Sequence, residues 1–264
     1  MDAEADLLPE SSVARRVDRE LFLLLGGTAA LLMQVCHPLV AAGVEQHSDF
    51  ARDPVGRLRR TLNTTLAVVF AEPSDARAAL RRIARRHGPV RGTAADGRSY
   101  DARDPDLLLW VQTTLVLTSL RLYEAVAGRL SAQDRDAYWE ETKPVATLLG
   151  IPPGRQPETI ADLEGYERAM LRSHVRPDAT SVRVARQVLR PFAWIPEPCY
   201  WPSDALAAAL VPAPLRSPMG LRYRGRERVF FALTVASARI LRAVLPMRLT
   251  VVPQARRFEA RHAR

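Results

Sequence analysis

Asp53-Pro54-Val55-Gly56-Arg57-Leu58-Arg59-Arg60-Thr61 opens a stretch that Arg85-Arg86-His87-Gly88-Pro89-Val90 closes, and the path between them decides the fold. Asp53 suits the N-cap and Pro54 the first position of a helix, which is predicted to run to about Ala71. Glu72-Pro73-Ser74 breaks it, and Ser74 can cap a second helix that ends at His87. Arg57 stands fifteen positions before Glu72 and His87 fifteen after it. A connection this short favours an antiparallel hairpin, which brings Arg57 and His87 level. Thr61 is then about one turn away. Arg57, Arg60, Thr61 and Thr64 fall at i, i+3, i+4 and i+7, on one helix face. An imidazole, two guanidiniums and a hydroxyl thus converge at one end of the hairpin. Taken alone, His87 reads as a histidine whose charged form the dipole favours at a helix C-terminus, and the arginines as a solvated face; taken together, a lone neutral imidazole there could ligate haem iron, and the arginines could hold propionates, an anion or a polarised oxygen species.

Outward from this hairpin, the chain reads as helix after helix. Arg15–Leu25 is periodic, and Gly26-Gly27 permits a kink. Pro38 disfavours a helical His37 and starts a new piece to about Gln46. Thr93–Arg103 reads as a polar loop. Asp104-Pro105 then starts a helix ending at Gly128; its uncharged centre, Leu107–Leu120, marks it as the central, buried helix. Ser131 starts a helix to Gly150 that Pro144 is expected to kink or divide. Helices also start after Thr159, whose spacing to Asp162 resembles a capping box, and after Asp178. Seven prolines between Pro191 and Pro218 imply irregular chain with one short helix, Asp204–Leu210. Arg226–Leu245 is the last long helix. No run alternates with period two between turn signals, so no sheet is expected and the fold class is all-α. The expected organisation is an acidic N-terminal tail over residues 1–14, one multi-helix domain over 15–250 and a basic C-terminal tail over 251–264.

The chain has 264 residues, 47% of them hydrophobic, enough for a sizeable core. Its formal charge is +9, and among 38 basic residues only Lys143 is a lysine. Acidic partners are plausible on charge alone. The arginines are spread along the chain and no helix-turn-helix pairing stands out, so a nucleic-acid-binding module is the weakest of three readings. The two cysteines, Cys36 and Cys199, form no disulfide framework and suit a reducing compartment. The acidic start lacks the features of a secretory signal, so a cytoplasmic location is expected. Leu21–Val44 is uncharged over 24 residues, long enough to span a bilayer. Gly26-Gly27, Gln34, His37-Pro38 and Gly43 interrupt it, and a buried, broken helix pair is the preferred reading.

His37 and His47, ten residues apart, would lie about 15 Å apart on a straight helix and cannot share an ion. Both are read as structural, His47 through capping of the next segment. Glu45 is a candidate acid or base near the end of its helix. Nucleotide-binding loops, a Gly-x-Ser-x-Gly elbow and a Cys-x-x-Cys pair are all missing from the sequence.

Several stretches in order carry a resemblance: Gly26-Gly27-Thr28-Ala29-Ala30-Leu31-Leu32-Met33-Gln34-Val35-Cys36-His37-Pro38, His47-Ser48-Asp49-Phe50, Asp53 to Thr61, His87-Gly88-Pro89-Val90-Arg91-Gly92, and Tyr100-Asp101-Ala102-Arg103-Asp104-Pro105 with Trp110. Over about residues 15–240 the chain resembles the MpaB-type oxygenase domain, whose superfamily includes the latex-clearing rubber oxygenases. The resemblance implies a globin-like helical core and b-type haem, with His87 as the axial iron ligand. The rubber oxygenases' distal Arg-x-x-Lys-Thr stretch corresponds to Arg57-Leu58-Arg59-Arg60-Thr61. Arg60 replaces the lysine that can ligate iron, and a guanidinium that stays protonated is a poor ligand, which leaves the sixth position open or to water. Glu45 is the nearest candidate for the family's distal glutamate. These matches imply an oxygenase that uses dioxygen on an apolar small molecule, isoprenoid or lipid-like. The substrate would be intracellular or dissolved in a membrane, with peripheral membrane contact open. A haem or small-ligand carrier of the same fold is the alternative.

Overall fold

The computed structural model describes residues 8, 9, 11–48 and 54–262; the side chains of Pro54, Val55, Arg57, Leu58 and Thr61 fall outside that description. The chain begins with α1 (Val13–Asp18), a 3-10 turn (Leu21–Gly26), α2 (Gly27–Val35) and α3 (Pro38–His47). Next come α4 (Pro54–Phe70) and α5 (Pro73–His87), the strands β1 (Arg91–Thr93) and β2 (Ser99–Asp101), α6 (Pro105–Ala127) and α7 (Ala132–Leu149). After them stand α8 (Ile160–Ser173), α9 (Ala179–Leu189), α10 (Trp201–Leu210), α11 (Ala213–Arg216), α12 (Gly225–Val244), α13 (Met247–Thr250) and α14 (Pro253–His262). The fold is all-α, with one small antiparallel hairpin, in which Arg91, Gly92 and Thr93 pair with Asp101, Tyr100 and Ser99.

The caps agree with the sequence. Asp104 accepts from Asp106 N at the start of α6, Ser131 from Asp134 N at α7, and Thr159 and Asp162 form a reciprocal capping box at α8. At α5 the N-cap is Glu72, with Pro73 at the first position, rather than Ser74: the ring fixes φ and needs no hydrogen-bond partner there. The proposed cap Asp53 lies outside the described residues.

Central placement of α6 is confirmed by its packing. Trp110, Leu122 and Val126 join one cluster with Leu32, Met33 and Cys36 of the α2–α3 region and with α9 and α10. Leu109, Leu117, Leu120 and Tyr123 join another with α1, α4, α7 and α8. Phe22, Leu23 and Tyr166 pack against both clusters, so the two make one continuous interior.

Leu21–Val35 and Pro38–His47 meet at 107°, and among the described residues no single helix is long and apolar enough to cross a membrane. Leu32, Met33, Val35 and Cys36 are fully buried against other helices, as expected of a core pair. Helices α2 and α6 pack on each other directly, with Thr118 Oγ1 3.9 Å from Met33 Sδ.

Three further expectations are corrected. Thr93–Arg103 contains a hairpin, not only loop; three residues per strand are too few to show alternation. Pro144 does not divide α7, because Trp139 before it and Ala146 after it are buried in the same core. The side chains of Thr147 and Gln156 also donate to the Lys143 carbonyl, at 3.0 and 3.5 Å. The segments set apart as tails both reach the core: Leu8, Val13 and Ala14 at one end, Val252, Ala255 and Phe258 at the other. They meet each other as well. Val252 N donates to Arg19 O (2.8 Å), Arg19 pairs with Glu259 (2.8 Å), and the Arg15 guanidinium lies 4.0 Å over the Phe258 ring.

Candidate functional site

Helices α4 and α5 are joined by only Ala71 and Glu72 and pack along each other as the expected hairpin. Val68 meets Ala79 and Leu80, and Ile83 extends that contact toward Val145 and Leu149 of α7. Asp75 in the first turn of α5 and Arg85, Arg86 and His87 in its last turn complement the helix dipole. The apolar stripe of α5 therefore sits against α4 and α7 while its polar end projects. His87, the last residue of α5, is half-buried at the open end of the hairpin, the end at which α4 begins.

The imidazole of His87 is oriented by its own helix. Nδ1 lies 2.8 Å from the Ile83 carbonyl, one turn back. A carbonyl only accepts, so the contact requires a proton on Nδ1; in the neutral ring the lone pair is then on Nε2. That is the tautomer of a metal-binding histidine whose second nitrogen is held by a backbone carbonyl.

The chain beyond His87 is fixed from α3. His47 Nε2 donates to Arg91 O (3.3 Å), Gln46 Nε2 to Thr93 O (3.0 Å), and Tyr100 Oη to Gln46 Oε1 (2.7 Å). Gly92 runs directly beneath this pair. A Cβ there would lie 2.8 Å from Tyr100 Oη and 2.9 Å from Gln46 Oε1, so only glycine fits without displacement. His47 is tied to the Arg91 carbonyl; the segment that His47-Ser48-Asp49 is expected to cap starts outside the described residues. Gln46, Gly92 and Tyr100 were not picked out from sequence as a unit. Their polar pairing joins residues 54 apart, and no local pattern signals it.

Arg57 and Thr61 stand in the first two turns of α4, and their side chains lie outside the described residues. Arg60 is exposed on the same helix. Glu45 is held at the surface by Arg183 of α9, at 2.9 and 3.2 Å, and no contact joins it to His87. His37 takes the N-cap position of α3 without a side-chain cap bond. It is buried, its Nδ1 has no partner, and burial pushes its pKa down to about 4, so it is neutral.

Among the described residues no group of three or more His, Cys, Asp or Glu side chains could hold a metal ion. Among the described residues the imidazole at the open end of the hairpin is that of His87; one such donor is too few for a bare ion and is what a metal already held in a macrocycle takes from a protein.

Residues 14–240 match the model of the family described as ER-bound oxygenase mpaB/B'/Rubber oxygenase, catalytic domain. The chain belongs to this family. Two mycobacterial relatives are similar to it along almost their whole length: Uncharacterized protein Rv2237 of Mycobacterium tuberculosis and Uncharacterized protein Mb2261 of Mycobacterium bovis. Each is 28% identical over 255 residues, covering 89% of this chain and 97% of the relative. No solved structure matches. The matched span runs from α1 almost to the end of α12, so the α4–α5 hairpin and its His87 end lie well inside the family's catalytic domain.

Proposed function

We propose that the protein is a haem b-dependent oxygenase that uses dioxygen to oxidise an apolar small molecule, with His87 as the axial ligand. The observation that carries this reading is the His87–Ile83 hydrogen bond, which leaves Nε2 as the donor atom at the open end of a hairpin inside an oxygenase-family domain. When bound, haem supplies the dioxygen chemistry.

The chain's own residues supply position and charge. Ile83 O fixes the tautomer and plane of His87. The α3 clamp on Arg91 and Thr93 holds the chain that leaves His87. With haem bound, Arg57, whose guanidinium stays protonated, would stabilise developing negative charge, Thr61, one turn on, would donate or relay a proton, and Arg60 would hold a propionate or a water. The substrate class is isoprenoid or lipid-like, and the reaction is cleavage of a carbon–carbon double bond with dioxygen as oxidant.

Dioxygen uptake by haem-loaded protein, measured with a panel of isoprenoid olefins, tests this. Wild type is expected to consume dioxygen in step with carbonyl product. Arg57→Ala and Thr61→Ala are expected to keep haem and to lose about tenfold or more in rate, as removal of one such donor does. Haem binding without any turnover would leave a carrier of the same fold; unchanged rates in both variants would remove Arg57 and Thr61 from the site.

A further inference from the structure

Helix α12 presents an apolar face to solvent. Its inner side packs through Phe231, Thr234, Val235 and Ala238 beside Leu25, Leu122 and Leu210. On the opposite side Val229, Leu233, Ile240 and Val244 are 59%, 61%, 61% and 68% exposed. Ala232, Ala236 and Ala243 fill the positions between them and are also exposed. At 3.6 residues per turn these side chains form one continuous stripe, about 30 Å long for the 20 residues of the helix. Met247 and Leu249 of α13 prolong the apolar surface, and Leu21 and Leu24 of the 3-10 turn are exposed next to Glu20, which pairs with Arg242 of α12 at 3.1 Å.

The charge around this stripe is predominantly positive, with Glu20 paired to Arg242 and Glu227 to Arg226. Residues 221–250 hold seven arginines and one acid. That acid, Glu227, is buried and bonded to Trp201, to Arg226 and to the Arg224 backbone. We infer that the outer face of α12 lies on an anionic lipid surface, its aliphatic stripe in the headgroup–acyl boundary and its flanking arginines on lipid phosphates. Charge argues against the other occupant with the right shape. Val229, Leu233, Ala236, Ile240 and Ala243 repeat at alternating four and three residues, which would also suit a seam with a second copy. Pairing two such faces would bring two strongly basic borders together.

The inference does not depend on haem or on oxygenase activity. Sedimentation of the full chain with phosphatidylcholine vesicles, with and without about 30% phosphatidylglycerol, tests it. Wild type is expected to partition onto the anionic vesicles about tenfold more strongly than onto the neutral ones, and less strongly as salt is raised. Leu233→Glu/Ile240→Glu is expected to abolish the partition with an unchanged circular dichroism spectrum, and the milder Val229→Ser to weaken it. Wild type that stays in the supernatant with both vesicles would overturn the inference. So would equal binding by all variants, or a wild-type dimer that Leu233→Glu/Ile240→Glu converts to monomer.

Discussion

Asp18 and Gly92 show what single atoms contribute to this fold. The Asp18 carboxyl accepts from Tyr138 Oη at 2.9 Å, and burial, with Glu141 nearby, pushes its pKa up from 3.8 to about 7. The folded chain therefore keeps this proton longer than the unfolded chain does. The stability this gives is fully present below about pH 4 and is lost as pH rises through 7. Asp18→Asn keeps an acceptor for Tyr138 and removes the titration. It is expected to match wild type near pH 4 and to exceed it by roughly 4 kcal/mol at pH 8, at roughly 1.4 kcal/mol per pKa unit over the rise from 3.8 to about 7. Thermal melts across this range check it; a difference that does not change with pH would refute it. His37 slopes the other way, losing stability as pH falls from about 6.5 toward 4, and cancels from the comparison because both proteins carry it. At Gly92 a methyl group would meet Tyr100 Oη and Gln46 Oε1 at under 3 Å. Gly92→Ala is expected to break their hydrogen bond and cost about 1–3 kcal/mol, measured by urea unfolding. Tyr100→Phe should cost less, because it leaves the backbone undisturbed.

At the scale of elements, legibility in the sequence depended on the reach of each signal. Proline and cap residues act within one turn. Asp104-Pro105, Ser131, Thr159 and Asp178 therefore marked helix starts correctly, and Glu72-Pro73 marked the hairpin break. The paired strands at Arg91–Thr93 and Ser99–Asp101 were invisible because three residues carry no period. The placement of His87 at the end of α5, opposite the start of α4, was legible from spacing alone, because a two-residue connection forces the two helices back on each other. The clamp by Gln46, His47 and Tyr100 was not, because it joins parts of the chain far apart in sequence. The basic C-terminal segment misled for a related reason. Its arginines dominate the composition, yet Ala255 and Phe258 share one buried face of α14, three residues apart. Phe258 packs beneath Arg15 and 6.4 Å from Phe70, ring centre to ring centre. Phe258→Ala is expected to cost about 3–5 kcal/mol, as truncation of a buried aromatic does. Unfolding midpoints in urea check this. A loss under about 0.5 kcal/mol would return α14 to the status of a tail.

Across the whole molecule, the region around α1 and the segment from Val251 to α14 close on each other. Val251 bridges Glu20, Val252 N donates to Arg19 O, and Arg261 reaches Phe70 O at the end of α4. The base of the α4–α5 hairpin is thus anchored by α1, α7 and α14, while its open end carries His87. One helix positions the imidazole through Ile83, and a distant clamp fixes the chain beyond it. The most direct measurement is the haem content and absorption spectrum of purified protein supplied with haem, for wild type, His87→Ala and His47→Ala. Wild type should show a Soret band and about one haem b per chain, the stoichiometry of a single axial histidine. His47→Ala should retain it, and His87→Ala should lose most of it. An unchanged spectrum and haem content in His87→Ala, or no uptake of haem by wild type, would contradict the assignment of His87 as the iron ligand.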